Sequence, residues 1–171
     1  GSKFQAQALP LVDSEAPYVQ AGGPAGGSME NATARLIAPT ASIDGTVEKI
    51  DGDYVYIRPH AKTAAAAPAL VKIPYNTYFP LAAKTYLHDT LHVKVGDTVK
   101  QDDLLGESNF TRNGATALGK NLSIAYMAYY GKNSNDAVVI SAAAAKKLTS
   151  EHMYKEALQK GIRSTEAKRF G

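Results

Sequence analysis

The 171-residue sequence predicts a mainly β fold with short helices, preceded by an extended arm. Three observations carry this. From Ala41 onward, apolar and polar residues alternate with a period of two, as at Val55 and Ile57, which is the spacing of half-buried strands. Turn-forming pairs, Asp51-Gly52 and Gly96-Asp97 among them, separate those runs. The first forty residues, by contrast, are interrupted by Pro10, Pro17, the run Gly22-Gly23-Pro24 and Pro39, so no long regular element fits there.

Residues 1–40 therefore read as an extended arm that needs a neighbour to pack against. A β-meander begins after Ala41: Ile43, Val47 and Ile50 lead to the Asp51-Gly52 turn, and Val55 and Ile57 return from it. Glycine at the turn accepts the positive φ of a tight hairpin. Residues 61–69 are alanine-rich but close on Pro68, which directs them to a short turn or loop rather than a full helix. A strand follows over Leu70 to Ile73. Tyr75, Tyr78, Phe79 and Tyr86 then cluster around Pro80; they close a core or stack on nucleic-acid bases, and burial is the commoner fate of aromatics in β-rich domains.

Residues 91–107 alternate around Gly96-Asp97 and Asp102-Asp103 and predict two short strands joined by turns. Ser141 is placed to cap a helix over Ala142 to Leu148, its hydroxyl accepting an orphan backbone amide. Helix propensity alone would carry that helix on through Tyr154 to Lys160.

Composition narrows the function classes. At 44% hydrophobic and 20% charged, the chain has enough apolar residues for a folded core. The absence of cysteine excludes a disulfide framework and a thiolate metal site, and it suits an intracellular protein. No apolar run approaches the roughly 20 residues that cross a bilayer, so no membrane partner is expected. The net charge of +3 is uneven: residues 146–171 hold seven basic and three acidic side chains, leaving −1 for the rest. Such an excess serves phosphate contacts or simply a solvated face. His60, His88, His92 and His152 show no metal-ligand spacing, and phosphate-loop and hydrolase-elbow motifs are missing.

The stretch from Leu104 to Ile140, LLGESNFTRNGATALGKNLSIAYMAYYGKNSNDAVVI, resembles a signature of the β subunit of multisubunit DNA-directed RNA polymerases. Its shared residues include Thr111, Asn113, Gly114, Ala117, Leu118, Gly119, Asn121, Met127, Gly131, Asn133 and Asp136. At the other end, GSKFQAQALPLVDSEAP is similar to the GSNMQRQAVPLLRSEAP of that family, sharing Gln5, Gln7, Pro10, Glu15 and Pro17. Weaker likenesses cover GTVEKIDGDYVYIR, the Thr149–Met153 stretch, where the family has a helix followed by a strand, and the closing STEAKRFG, which resembles the segment before the family's flap domain.

This resemblance implies a fork end over residues 1–40, a β-rich portion of a double-psi β-barrel over residues 41–160, and a basic segment over 161–171 leading to where the flap would begin. It implies templated RNA synthesis by a two-Mg²⁺ mechanism, with the metals held mainly by a β′-type subunit that carries the NADFDGD motif. Implied partners are the remainder of the β-type subunit, the β′-type subunit, DNA template, RNA product and nucleoside triphosphates. The implied setting is the cytoplasm of a bacterium or of a phage-infected cell, with virion packaging as a further option. Departures from bacterial motifs point to a divergent, phage-type enzyme.

Residue by residue, Asp136 aligns with the aspartate of the family's NFED motif and is the expected contributor to the second Mg²⁺, directly or through water. Asn135 stands where the family has glutamate, which removes one negative charge beside the metals. On spacing alone, Asn133 to Asp136 is a polar turn between strands. Gln5 and Gln7 match amides that face the RNA 3′ end and the incoming nucleotide, while the arginine between them is Ala6 here. Lys120 replaces a family arginine, keeping the charge without the bidentate fork; a nucleotide contact and a structural salt bridge are equal readings. Two readings of another class remain: a barrel-sandwich carrier or interaction module, suggested by VGDTVKQDDLLGE, and a phage structural protein with a decayed polymerase fold.

Overall fold

The computed structural model describes residues 8–23, 26–60, 69–157 and 163–170, with residues 155–157 and 163–170 described by their backbone alone. The chain is mainly β, as predicted. Helix α1 (Met29–Ile37) precedes a meander of β1 (Gly45–Asp51), β2 (Tyr54–Pro59) and β3 (Val71–Pro74). Then come the short strands β4 (Phe79–Pro80), β5 (Tyr86–Leu87), β6 (Asp89–Leu91), β7 (Thr98–Val99) and β8 (Gly106–Ser108).

Strand β7 returns to pair with β1, so the main sheet has the order β3-β2-β1-β7. The alternation read from the sequence sets its inner face. Val47, Val55, Ile57 and Ile73 point inward and are buried with Ala41, Val99 and Leu105. Leu105 is locked by backbone bonds on two sides: its amide donates to the Pro39 carbonyl, and its own carbonyl accepts from His92 at 2.9 Å. Gly45 lies where β1 is squeezed between neighbours. A Cβ there would sit 2.4 Å from the Arg58 carbonyl oxygen, so only glycine fits.

The two turns read at Gly96-Asp97 and Asp102-Asp103 are built alike. The Asp97 carboxylate accepts from the Lys94 amide at 2.7 Å and the Asp103 carboxylate from the Lys100 amide at 2.8 Å. Residues 96 and 102 take positive φ, 99° and 69°. Three short strands, not two, result from residues 89–108, because β6 pairs with β8 while β7 leaves to join β1. The strand expected over Leu70 to Ile73 begins one residue later, with Leu70 exposed.

One stretch of the arm departs from expectation. Residues 29–37 are helical because Ser28 and Asn31 form a reciprocal capping box, an Asn-for-Glu version of the usual pattern, which satisfies the first-turn amides. Of the aromatic cluster, Tyr86 is buried and Tyr75 packs on the core with its hydroxyl donating to the Asp51 carbonyl at 2.8 Å. Tyr78 and Phe79 are exposed, and Tyr78 stacks on His88 with ring centroids 4.2 Å apart. The expected loop at residues 61–69 lies almost wholly outside the described residues.

Candidate functional site

After β8 the chain makes a hairpin of β9 (Thr111–Arg112) and β10 (Ala115–Thr116) around Asn113-Gly114. Both turn residues have positive φ, 51° and 72°, as a two-residue hairpin turn of matching twist requires. Helix α1 packs on this hairpin. The Asn31 amide donates to the Gly114 carbonyl at 2.9 Å, and the Thr116 hydroxyl donates to the Glu30 carbonyl at 3.2 Å. Phe110, Thr111, Ala115 and Ala117 are buried there, so the signature begins as packed structure.

Immediately beyond it, the signature is stitched to the arm. The Glu15 amide donates to the Gly119 carbonyl at 2.8 Å. One Glu15 carboxylate oxygen accepts from the Asn121 amide at 3.0 Å and from its side chain at 3.2 Å. The Asn121 side chain also donates to the Ala16 carbonyl at 2.8 Å and accepts from the Tyr18 amide at 3.3 Å. The Lys120 ammonium completes the clamp, 3.0 Å from both the Asp13 and the Glu15 carboxylates.

The Lys120 side chain is only 4% exposed, and its ammonium is committed to two carboxylates, which is the salt-bridge reading of this residue. Burial alone would lower the Lys120 pKa, but the bonds to Asp13 and Glu15 outweigh it and hold it above the ordinary lysine value. Glu15 is shifted the other way. The Asn121 backbone bond, followed by the Lys120 bond, holds its carboxyl below the usual glutamate value. Asp13, Glu15 and Asn121 were not singled out by sequence reasoning; the signal was there in the matched Glu15 and Asn121 of the two terminal motifs.

From residue 122 to 140 the chain runs over the surface with no strand. The polar turn at Asn133 to Asp136 forms without flanking strands. The Asn133 side chain accepts from the Tyr129 amide at 3.0 Å and donates to the Met127 carbonyl at 2.6 Å, while the Ser134 hydroxyl donates to the Gly131 carbonyl at 3.1 Å. Asn135 and Asp136 both adopt left-handed backbone, φ 51° and 64°, a conformation these two residue types tolerate best after glycine. Both are exposed.

On either side of that turn, Ile124, Tyr126, Met127 and Tyr130, and then Val138 and Ile140, are exposed. Among the described residues no group of three or more histidines and carboxylates is arranged to hold a metal. Asp136 thus offers one carboxylate, enough to share a metal held elsewhere. Gln5 and Gln7 lie outside the described residues.

Beyond the turn, Ser141 caps helix α2 (Ala142–Lys147), its hydroxyl accepting from Ala144 at 3.1 Å. The next element is strand β11 (Ser150–Ala157), paired with β12 (Arg163–Phe170), rather than the longer helix that propensity favours. Leu11 of the arm bridges to Ser150, and the Tyr86 hydroxyl donates to Glu151 at 2.5 Å. Arm, signature and β11 therefore meet through direct bonds.

Residues 40–170 match the family model described as RNA polymerase Rpb2, domain 6. The chain is 37% identical over 172 residues to the DNA-directed RNA polymerase subunit beta of Mesomycoplasma hyopneumoniae (strain 7448), covering 98% of this chain and 13% of that protein. It is 35% identical over 143 residues to the subunit of the same name from Thermus thermophilus, covering 82% of this chain and 12% of that one. With the subunit of Rickettsia bellii (strain RML369-C) it shares 32% over 155 residues, 90% of this chain and 11% of that one. The chain spans about an eighth of the length of the curated relatives it matches.

Proposed function

The chain belongs to the RNA polymerase Rpb2 domain 6 family, and from that premise we propose that it forms part of the active-site barrel of a multisubunit DNA-directed RNA polymerase. The observation that carries this reading is the match over 98% of the chain to a beta subunit of that enzyme. The barrel is of the double-psi kind and is completed by the remainder of the β-type subunit, which covers the exposed apolar residues around Ile124 and Val138. Templated RNA synthesis is then a property of the assembly with a β′-type subunit, DNA, RNA and nucleoside triphosphates.

In that assembly Asp136 would support the second Mg²⁺, directly or through water, with the ion held mainly by the β′-type subunit. A single exposed carboxylate on a tight turn suits this role, since Mg²⁺ keeps several waters and takes one or two carboxylates alongside substrate phosphates. The bound ions supply charge stabilisation to the transferring phosphoryl group. Asn135 leaves the turn one charge short of its family counterpart. Gln5 and Gln7 bond sugar hydroxyls or phosphates, and Lys120 acts as a positioning residue that fixes the arm bearing them.

The test is templated RNA synthesis by the assembled enzyme. Asp136→Ala is expected to lower it roughly tenfold to a hundredfold, the range seen when a metal's supporting shell is altered. Unchanged synthesis would remove Asp136 from the mechanism. Purification of the chain without any NADFDGD-bearing subunit would remove the polymerase assembly itself.

A further inference from the structure

The signature makes two tight turns in succession, with Asn133 between them. The Lys132 amide donates to the Tyr129 carbonyl at 2.9 Å across Tyr130 and Gly131, and the Ala137 amide donates to the Ser134 carbonyl at 3.3 Å across Asn135 and Asp136. All four central residues have positive φ, 50° and 69° in the first turn, 51° and 64° in the second. Two positive values in a row mark the I′ class of turn, which glycine, asparagine and aspartate enter most readily. Tyr130 is outside that set. A bulky side chain at positive φ is strained, and such a position persists only where its surroundings hold it.

What holds it is the Asn133 side chain, which reaches back over the first turn. It accepts from the Tyr129 amide at 3.0 Å and donates to the Met127 carbonyl at 2.6 Å. One acceptor and one donor side by side are what a carboxamide supplies; aspartate lacks the donor and alanine lacks both. Among the described residues from 122 to 143, Asn133 alone is half-buried and the others are exposed. The hydrogen bonds that residues 127–137 make with other described residues all stay within that stretch. No other element steadies the second turn through such a bond, so its orientation is passed on from Asn133, the residue just before it.

We propose that Asn133 is a positioning residue for Asp136: by clamping the strained first turn, it sets the direction in which the second turn presents the Asp136 carboxylate. The inference rests on the reading of Asp136 as a support for the second Mg²⁺. Mg²⁺ accepts little departure from octahedral geometry, so a carboxylate must arrive from a defined direction, whether it meets the ion or a water on it. Without the Asn133 bonds, Tyr130 relaxes from its left-handed backbone and the second turn swings with it. Asp136 keeps its charge but loses its aim.

The test is a double-mutant cycle in the assembled polymerase, with templated RNA synthesis titrated against Mg²⁺ and subunit co-purification scored alongside. Asn133→Ala is expected to raise the Mg²⁺ concentration for half-maximal synthesis roughly tenfold, with most of the rate recovered at saturating Mg²⁺. In an Asp136→Ala background the same change should add less than about a twofold effect, because no carboxylate is left to aim. Tyr130→Gly should restore part of the Asn133→Ala loss, since glycine takes positive φ freely. An unchanged Mg²⁺ dependence for Asn133→Ala, equal losses in the two backgrounds, or no recovery with Tyr130→Gly would each overturn the proposal. Failure of Asn133→Ala to assemble would overturn it too, by marking the turn as a docking element. Normal synthesis by Asp136→Ala alone is a separate result: it removes the reading of Asp136, and the proposal with it.

Discussion

The Lys120 ammonium, held between Asp13 and Glu15, is an ion pair whose two ends sit 105 or more residues apart in sequence. Its value lies in fixing the arm, and the pH dependence of Glu15 makes that measurable. The folded-state pKa of Glu15 is depressed, first by the Asn121 backbone bond and then by Lys120. Its contribution is therefore fully present above the ordinary glutamate value of 4.5 and is lost as pH falls through the lower folded value. Glu15→Gln should remove that part of the acid-limb stability loss, read by thermal melts between neutral pH and about pH 3. Asn121→Ala removes a side chain that makes three of the clamp's bonds and should cost about 1–2 kcal/mol of stability, read by denaturant titration. In sequence, Lys120 was readable only as a cation with two equal roles. The choice between them depended on which carboxylates lay nearby, and period-two or helical patterns say nothing of contacts across a hundred residues.

At the scale of elements, local chemistry was legible wherever it was self-contained. The Asp51-Gly52 hairpin, the strands carrying Val55 and Ile57 and the Ser141 cap all depend on residues within a few positions of one another. Helix α1 escaped because its capping box uses Asn31 in place of the usual Glu or Gln, and because glycines and prolines on either side masked its nine residues. The strand β11 was favoured by the resemblance against propensity, since its pairing with β12 and with Leu11 is a tertiary effect. The Asn113-Gly114 turn gives a prediction at this scale. Gly114 has φ 72°, and an added Cβ would also lie 3.3 Å from a Leu104 methyl. Gly114→Ala should cost about 1–2 kcal/mol and raise hydrogen exchange across residues 108–117, loosening the seat of α1. Another concerns the Asp136 turn. Asn135→Glu adds a carboxylate where the family has one, and under the proposed function it should lower the Mg²⁺ concentration that half-saturates RNA synthesis.

For the whole molecule, the arrangement of apolar surface separates what holds the chain together from what it presents. Val47, Val55, Ile57 and Leu105 are fully buried, whereas Tyr126 is 94% and Val138 81% exposed within a stretch that makes few bonds beyond its own turn. A group of large exposed apolar residues of this size is uncommon on a monomer and marks a surface that is covered in an assembly. Under the proposed function, the cover is the remainder of the β-type subunit, and the consequence can be separated from folding. Ile124→Asp and Val138→Asp introduce charge where no core residue is touched, so each should change the chain's own stability by no more than about 0.5 kcal/mol. The same substitutions bury an unpaired carboxylate once the surface is covered, at a cost of several kcal/mol, which is enough to lose a stable complex. Co-purification of the polymerase subunits is therefore expected to fall sharply for both variants. A threonine at either position should retain most of it. Equal recovery of the complex with aspartate would mean that this surface stays open to water in the assembled enzyme.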